Sequence, residues 1–590
     1  LSDSQPIRYE PQEPAPHPLA AGLAAQVVTL MATGVMVSPL VVARGAGLDE
    51  AATSWLVFAA LFAAGLSTWL QAMQLGRVGG GHTLFVGSNV AFVGICVNAI
   101  QAGGLPLMAT LVCVSSLSTF AFTHKMGALR RVLTPAVGGT VLMLMSLSVA
   151  PVVWSMLKKV PNDEFLKGPA PAVAFVTFLV ILLVSLFARG MLRLWAPILG
   201  VAIGTALSGA FGMVDGVRVA EAAWLGLPDG KWPGVSFDLG SSFWGLLPSF
   251  VLVSLVGCIE TYADGISVQR SSYRRQRPVD FRAVQGAINA DGVGSFLAGA
   301  LGTIPNTVYS MSVGVMELTR VASRRVAYWG GLFLILLAFS PKVSALVAAI
   351  PGPVAAAYIL MILVILFGHG MQMVHEEGLG FEAGLAVCVG FWVGMGFQGG
   401  FLFNDLAPKW AQLFLANGTT SGGVTTLLIM ALLQLRRGPA DRLAAPLEPA
   451  SAELLNELLE RFAARLSWDV HARYRLMLVG HEAFLYLLKG AEGRGGATPL
   501  HFQARLRQVG EQVEIEFVGA PAAVNIETAI GDLPANAVPD SGDEFSLLLM
   551  RGLAREVRHM QYHGVDYLLI KADASPPDSA ATDSYRSYST

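Results

Sequence analysis

Charged side chains are scarce in this sequence: Asp, Glu, Lys and Arg make up 14% of 590 residues, and the formal net charge is only −2. A chain so balanced has no global attraction for nucleic acid or acidic surfaces, so its charges act by position and not by total. Cysteine is equally sparse. Cys96, Cys113, Cys258 and Cys388 stand singly in apolar segments, with no CxxC and no metal-ligand spacing, which argues against a disulfide framework and for small core residues. Residues 1–18 hold five prolines and lack the apolar core of a signal peptide, so they read as a disordered, partly extended cytoplasmic tail.

What the chain has in abundance is apolar length. Hydrophobic residues make up 54% of it, strung into about fourteen runs near the length that crosses a bilayer. Runs such as 172–187 and 355–367 are apolar all round, whereas a soluble helix would keep a charged face. The expected spans lie at about 19–43, 52–73, 84–99, 104–123, 135–152, 171–188 and 194–213. After a polar interval a second set follows at about 241–264, 282–301, 304–320, 325–349, 353–373, 379–397 and 416–435. Cations gather in alternate loops, among them Lys125, Arg130 and Arg131, then Arg270, Arg274, Arg275 and Arg277, then Arg320, Arg324 and Arg325. Positive residues stay inside, so both termini are expected in the cytoplasm of a plasma (inner) membrane protein. An odd number of spans per half then inverts the second half relative to the first.

Two stretches break the apolar pattern at equivalent places. Thr303–Arg320, TIPNTVYSMSVGVMELTR, and Gly79–Phe92, GGGHTLFVGSNVAF, are too rich in Pro, Gly, Asn and Ser to face lipid. Each occupies the third expected span of its half, and each reads as a short extended piece followed by a half-helix. Two such pieces can pair as short strands and aim backbone N–H groups at a shared site near the middle of the membrane.

Carboxylates inside apolar helices are the other anomaly. Glu260 and Asp264 lie four residues apart on one helical face at the end of the eighth expected span. A carboxylate at that depth is costly and marks a place where a proton, a cation or a substrate N–H is accepted. Glu260, a turn deeper, reads as functional; Asp264 is equally explained by pairing with Arg270 or Arg274. Asn289 and Asp291 form a weaker candidate cation site. Gln26, Thr29 and Asn98 read as interhelical hydrogen-bonding groups, and His369, His375, Glu376 and Glu377 as a solvated loop without metal-ligand geometry.

These stretches resemble the nucleobase and ascorbate transporter family, the nucleobase:cation symporters, over about residues 19–436. The resemblance rests on LFVGSNVAF, LRRVLTPAVGGTV, IETYADG and INADGVGSFLAGALGTIPNTVYSMSVGVMELTRVASR, in the family's order. It implies an α-helical polytopic fold of about fourteen spans in two inverted repeats of seven, with short strands in spans three and ten. A core domain (spans one to four and eight to eleven) moves against a gate domain (five to seven and twelve to fourteen). Glu260 matches a glutamate that accepts ring N–H bonds, and Asp264 a coupling position. Val90 falls where an aromatic ring often packs on the base. Met311 and Ser312 replace the family's polar pair, which removes buried partners for a base edge and offers a soft apolar wall instead. Glu260, Met311, Ser312, Val90, Asn89 and Ser310 are therefore the expected substrate-binding set, and Glu260 and Asp264 the coupling groups.

After Arg436 and Arg437 the composition changes, and residues 447–573 read as a soluble α+β domain, with 574–590 a disordered tail. Helical patterning in SAELLNELLERFAARL gives way to strands in LHFQARLRQ and QVEIEFVG, a helix over Glu544–Met560 and a strand over Asp566–Lys571. That order resembles the ATP-binding domain of histidine kinases and anti-sigma factors. Tyr486 stands where that family has a magnesium-binding asparagine and Val518-Gly519-Ala520 where it has an aspartate turn, and Ser541-Gly542-Asp543 is the sole trace of a lid. A degenerate fold that binds no ATP is expected, used in dimerisation, stability or regulation.

The leading reading is a membrane transporter, not an enzyme, with no cofactor and no nucleic-acid partner. It moves a nucleobase-like heterocycle with a proton, sodium being the alternative ion, by an elevator movement in a homodimer. The rivals are an anion carrier of sulfate-permease type and a membrane sensor signalling through its C-terminal domain.

Overall fold

A computed structural model of the chain describes residues 7–124, 134–158, 160, 163–214, 216–274, 277, 279–376, 381–402, 406–436, 440–466, 468–492, 500–509, 512–519, 525–533, 542–563 and 565–573. Lys125, Arg130, Arg131, Arg275, Glu377, Arg437, Ala520, Ser541 and the tail 574–590 lie outside the described residues. The chain divides into two compact units, one comprising 1–274 and 286–433, the other 275–285 and 434–590.

The first unit is helical. In chain order it holds α1 (His17–Ala46), α2 (Glu50–Ala72), β1 (Val86–Ser88), α3 (Val93–His124), α4 (Pro135–Leu157), α5 (Pro169–Phe187), α6 (Ala196–Ala210), α7 (Ser241–Ser272), α8 (Phe281–Ala300) and β2 (Asn306–Val308). It continues with α9 (Met311–Thr319), α10 (Arg324–Ala338), α11 (Pro341–Ala348), α12 (Gly352–Glu376), α13 (Phe381–Gln398), α14 (Lys409–Ala416) and α15 (Gly418–Arg436). Prolines open α4, α5 and α11 within their first turns, where a missing N–H costs nothing. Asp49 caps α2, its Oδ1 accepting the Ala52 N–H at 2.8 Å.

Among the described residues, eight helices are long and apolar enough to cross a membrane, or nine if α10 and α11, bent by 76°, form one span. Two expected spans, 84–99 and 104–123, share the single helix α3, which kinks at Gly103 and Gly104 ahead of Pro106. The expected span 241–264 runs on to Ser272, so Glu260 and Asp264 lie inside α7 and not at its end.

Small residues set the closest helix contacts. A β-carbon on Gly139 of α4 would fall 2.4 Å from the Gly370 carbonyl of α12, and one on Gly65 of α2 would fall 2.7 Å from the Gly331 carbonyl of α10. Such backbone approach is how helices gain dispersion contact where lipid removes the hydrophobic drive.

The stretch expected to be a disordered tail is ordered from Ile7 onward. Ile7 and Ala15 are buried, and Tyr9 forms a parallel bridge with Val321. Prolines kept this segment from helix, and an extended segment satisfies its backbone by pairing with another strand.

The second unit is a five-stranded antiparallel sheet in the order β3–β4–β5–β7–β6, from β3 (Asp441–Pro446), β4 (His501–Val509), β5 (Gln512–Gly519), β6 (Glu556–Gln561) and β7 (Asp566–Asp573). Helices α16 (Ser451–Ala464), α17 (Val470–Glu492), α18 (Ile526–Asp532) and α19 (Gly542–Leu553) complete it. Leu459, Phe462, Val479 and Phe484 of the helices pack on Phe502, Ile515, Phe517 and Ile570 of one sheet face. The other face carries ion pairs such as Lys571–Glu556 at 2.9 Å, the division expected of a half-buried antiparallel sheet.

Two expectations need correction here. The unit begins with β3, before residue 447, and the helix expected over Glu544–Met560 stops at Leu553. Its last part is β6, because Val557 and His559 alternate inward with exposed Arg558, a period of two that a helix cannot present.

Candidate functional site

β1 and β2 pair antiparallel, with Val86 opposite Val308, Gly87 opposite Thr307 and Ser88 opposite Asn306. The Asn89 N–H to Pro305 carbonyl bond and the Tyr309 N–H to Phe85 carbonyl bond, each 2.9 Å, extend the ladder. A two-stranded ribbon buried among helices needs partners for its outer edges. Side chains of α2 and α8 supply them: Thr68 Oγ1 accepts the Val86 N–H at 3.1 Å, and Ser295 Oγ donates to the Asn306 carbonyl at 3.0 Å. Gly87 is required by close approach, since a β-carbon there would lie 2.6 Å from Cζ of Tyr309.

Each strand leads into a helix that starts inside the protein. After β1, Asn89 caps the turn Val90–Phe92, its Oδ1 accepting the Ala91 N–H at 2.9 Å, and α3 follows. After β2, Ser310 precedes α9. The two expected strand-plus-half-helix units are thus present and face each other across the ribbon.

α7 runs beside these starts. Asp264 is buried, and its Oδ2 accepts a hydrogen bond from Ser310 Oγ at 3.0 Å. Asp264 has this hydroxyl as its partner instead of the cations considered for it; Arg274 is engaged with Glu13. Asn89 Nδ2 approaches α7 at Gly257, one turn before Glu260. Asp291 of α8 is also buried. Its Oδ2 accepts from Thr261 Oγ1 at 3.0 Å, while Oδ1 has no hydrogen-bond partner among the described residues. The Thr261–Asp291 bond brings α8 against α7 between Glu260 and Asp264, four residues apart on that helix.

Val90 and Met311 are half-buried and pack against the edge of the main apolar cluster. Ser312 Oγ accepts the Phe85 N–H at 3.0 Å, a bond that ties α9 to the ribbon and leaves the hydroxyl proton to another acceptor. Asn289 Nδ2 donates to the Arg77 carbonyl at 2.7 Å, which ties α8 to the loop that follows α2.

Sequence reasoning passed over Thr261, Tyr309 and Tyr358. The Tyr309 hydroxyl donates to the Ser88 carbonyl at 2.9 Å. A β-carbon on Gly34 of α1 would lie 3.0 Å from the Tyr309 hydroxyl and 3.4 Å from that of Tyr358 on α12, so the two hydroxyls converge on one glycine. The available signal was a phenol in each of two otherwise apolar stretches, which needs a hydrogen-bond partner when buried.

A family model described as Permease family (Xan_ur_permease) matches residues 20–404. The chain belongs to this family. Among curated relatives, the xanthine permease XanP of Escherichia coli K12 is 27% identical over 440 residues, covering 72% of this chain and 93% of that protein. The uric acid permease PucK of Bacillus subtilis is 25% identical over 420 residues, covering 70% of this chain and 95% of that protein. Among solved structures, SLC26A9 matches at a TM-score of 0.49 and 14% identity, over 72% of this chain and 66% of that one. The matched residues of this permease take in β1, β2, α7, α8 and α9, and end before β3.

Proposed function

We propose that this permease is a secondary transporter that moves a nucleobase-like heterocycle, a purine such as xanthine or urate, or uracil, together with a proton. The observation that carries the reading is the gathering of Glu260, Asp264 and Asp291 beside the starts of two broken helices, with one oxygen of Asp291 unpartnered among the described residues. Ring N–H groups of a base are donors and need buried acceptors; carboxylates supply them at a depth where they are too costly to be kept without a task. Met311 and Val90 give the apolar walls against which a flat ring packs. The xanthine and uric acid permeases among the relatives support the substrate class.

Glu260 is the group proposed to link the base to the proton, with Asp264 held ready by Ser310. Neutralising the cluster by a proton removes charge from the site-bearing body and lowers its cost of moving through the membrane. That body comprises the helices of spans one to four and eight to eleven. It moves in elevator fashion against the remainder, in a fold of about fourteen spans arranged as two inverted repeats with both termini cytoplasmic. A homodimer and a regulatory or stabilising C-terminal domain complete the proposal.

The test is uptake into proteoliposomes of labelled xanthine, urate and uracil under an imposed pH gradient. Glu260→Gln abolishes gradient-driven accumulation; accumulation that persists in this variant removes Glu260 from coupling. Uptake competed by bicarbonate or sulfate and untouched by bases would replace the reading with an anion carrier, to which three carboxylates, Asp264 and Asp291 buried and Glu260 half-buried, are an electrostatic obstacle.

A further inference from the structure

α7 carries Glu260 and Asp264 and ends at Ser272, and the next two residues each hold one of the broken segments. The Tyr273 hydroxyl lies 3.2 Å from Nε2 of His82, the residue that leads towards β1. Nδ1 of the same ring lies 2.7 Å from the Gly80 carbonyl, so the proton belongs on Nδ1 and Nε2 accepts from the tyrosine. Arg274 reaches the other segment through the N-terminal residues. Its Nε donates to the Ile7 carbonyl at 3.0 Å and its Nη2 to the Arg8 carbonyl at 2.8 Å. Nη1 and Nη2 also grip the two Glu13 oxygens at 2.6 and 2.5 Å, a bidentate pair.

The same N-terminal residues are stitched to the turn that follows α9. The Arg8 N–H donates to the Arg320 carbonyl at 2.8 Å, the Ala322 N–H to the Tyr9 carbonyl at 2.9 Å, and the Arg324 N–H to the Pro11 carbonyl at 3.2 Å. Ser323 Oγ donates to the Glu13 carbonyl at 2.7 Å and accepts the Ala15 N–H at 3.1 Å. Arg320 sits at φ 59°, uncommon for a residue with a β-carbon, and this pairing holds it there. Ile7 is 6% exposed and packs in a small cluster with Val86 of β1, Val308 of β2, Val268 of α7 and Met316 of α9. One short extended segment therefore touches all four pieces of the site's scaffold.

We propose that Ile7–Ala15 is a brace that, through Ile7 and Arg274, sets α9 and the β1–β2 ribbon against the carboxylates of α7, and that it stays docked throughout transport. Arg274, Glu13 and Ile7 are on this account positioning residues: they touch no substrate. A lid would bridge parts that move relative to one another; the partners of this segment instead lie on α7, the ribbon, α9 and the first turn of α10, all within the site-bearing body proposed above. The functional half of the proposal rests on the transport reading above, the structural half does not.

The experiment uses the full chain in lipid nanodiscs and proteoliposomes, with Arg274→Ala, Arg274→Lys and Ile7→Ser. Hydrogen exchange, read without substrate, rises about tenfold or more over residues 311–323 in Arg274→Ala and Ile7→Ser, is intermediate in Arg274→Lys, and is unchanged in α12. Unchanged exchange over 311–323 overturns the brace. In uptake of xanthine, KM rises about fivefold while turnover per folded protein holds, a split that general instability does not produce. Lower turnover at unchanged KM overturns the positioning role. Joining Tyr9→Cys to Val321→Cys with a short thiol cross-linker leaves uptake intact, and loss of uptake on cross-linking shows a segment that must undock, which overturns the proposal. Should the unmodified protein transport no base, the substrate reading fails while the exchange measurement still decides the brace.

Discussion

Ser310 Oγ donates a 3.0 Å hydrogen bond to Oδ2 of Asp264, joining the residue just before α9 to the acidic face of α7. A hydrogen bond to a charged acceptor contributes about 1.5–3 kcal/mol, and a buried carboxylate stripped of its partner bears its desolvation alone. Ser310→Ala is therefore expected to raise KM for the transported base about tenfold or more, since about 1.4 kcal/mol is one decade. Ser310→Thr, which keeps the hydroxyl, stays near the parent value. Concentration-dependent uptake by both variants checks the pair.

Thr261 and Asp291 make the second such pair, with a different consequence. An amide at position 291 still offers the Thr261 hydroxyl an acceptor but cannot bind a proton. Asp291→Asn is expected to keep exchange of labelled for unlabelled base across the membrane while losing accumulation driven by a pH gradient. Both are measured in the same proteoliposomes. Accumulation retained at the parent level would free Asp291 from coupling.

Gly87 carries a prediction about stability. A β-carbon there meets the Tyr309 ring at 2.6 Å, inside a ribbon hydrogen-bonded on both edges, so Gly87→Ala forces the strands apart. Overpacking of this kind costs about 1–3 kcal/mol, seen as a lower midpoint of thermal unfolding for the purified protein in detergent. Gly22 in α1 is the control: a β-carbon there meets nothing within 4 Å. Gly22→Ala leaves the midpoint unchanged or raises it, as alanine in a helix interior is favoured over glycine by about 0.5–1 kcal/mol.

The broken segments were legible because Pro305, Asn306, Gly87 and Asn89 contradict the apolar runs around them, and lipid tolerates no such backbone. Glu260 and Asp264 were legible for the same reason, as charges where none is free of cost. The partners of polar groups were not. Ser312 accepts the Phe85 N–H and Asn289 donates to the Arg77 carbonyl, and those partners are 227 and 212 residues away. No local pattern reports a contact at that separation. The N-terminal segment misled for a related reason: its prolines correctly exclude helix, but an extended chain without neighbours reads as disordered, and its neighbours at 320–325 are far along the sequence. In the sheet unit, Glu556–Met560 reads as the end of the preceding helix because Arg555 and Arg558 suit a helical surface as well as a strand. The inward alternation of Val557 and His559 is visible only once the sheet is there to receive them.

The brace also has a pH dependence whose sign follows from its ion pair. The bidentate hydrogen bonds from Arg274, helped by the Glu10 N–H, hold the Glu13 carboxyl below the usual glutamate range. The ionised form is the one favoured when the segment is docked. Its contribution is therefore complete at any pH above the ordinary glutamate value, and it is lost as pH falls through the lowered value. Both groups are about two-fifths exposed, so salt screens the pair and part of this contribution fades in concentrated chloride. Ile7 and the main-chain bonds to Arg320, Ala322 and Arg324 do not titrate, so docking is expected to weaken in acid without ending. Exchange over residues 7–15 is therefore flat from neutral pH down to the glutamate range after correction for intrinsic rates, and then rises. In Glu13→Gln it is elevated at neutral pH and shows no such step, because the amide keeps an acceptor for Arg274 but has no charge to lose. A step that persists in Glu13→Gln would assign the acid sensitivity to another carboxylate on this face, of which Glu10, bonded to the Arg274 N–H at 3.1 Å, is the nearest.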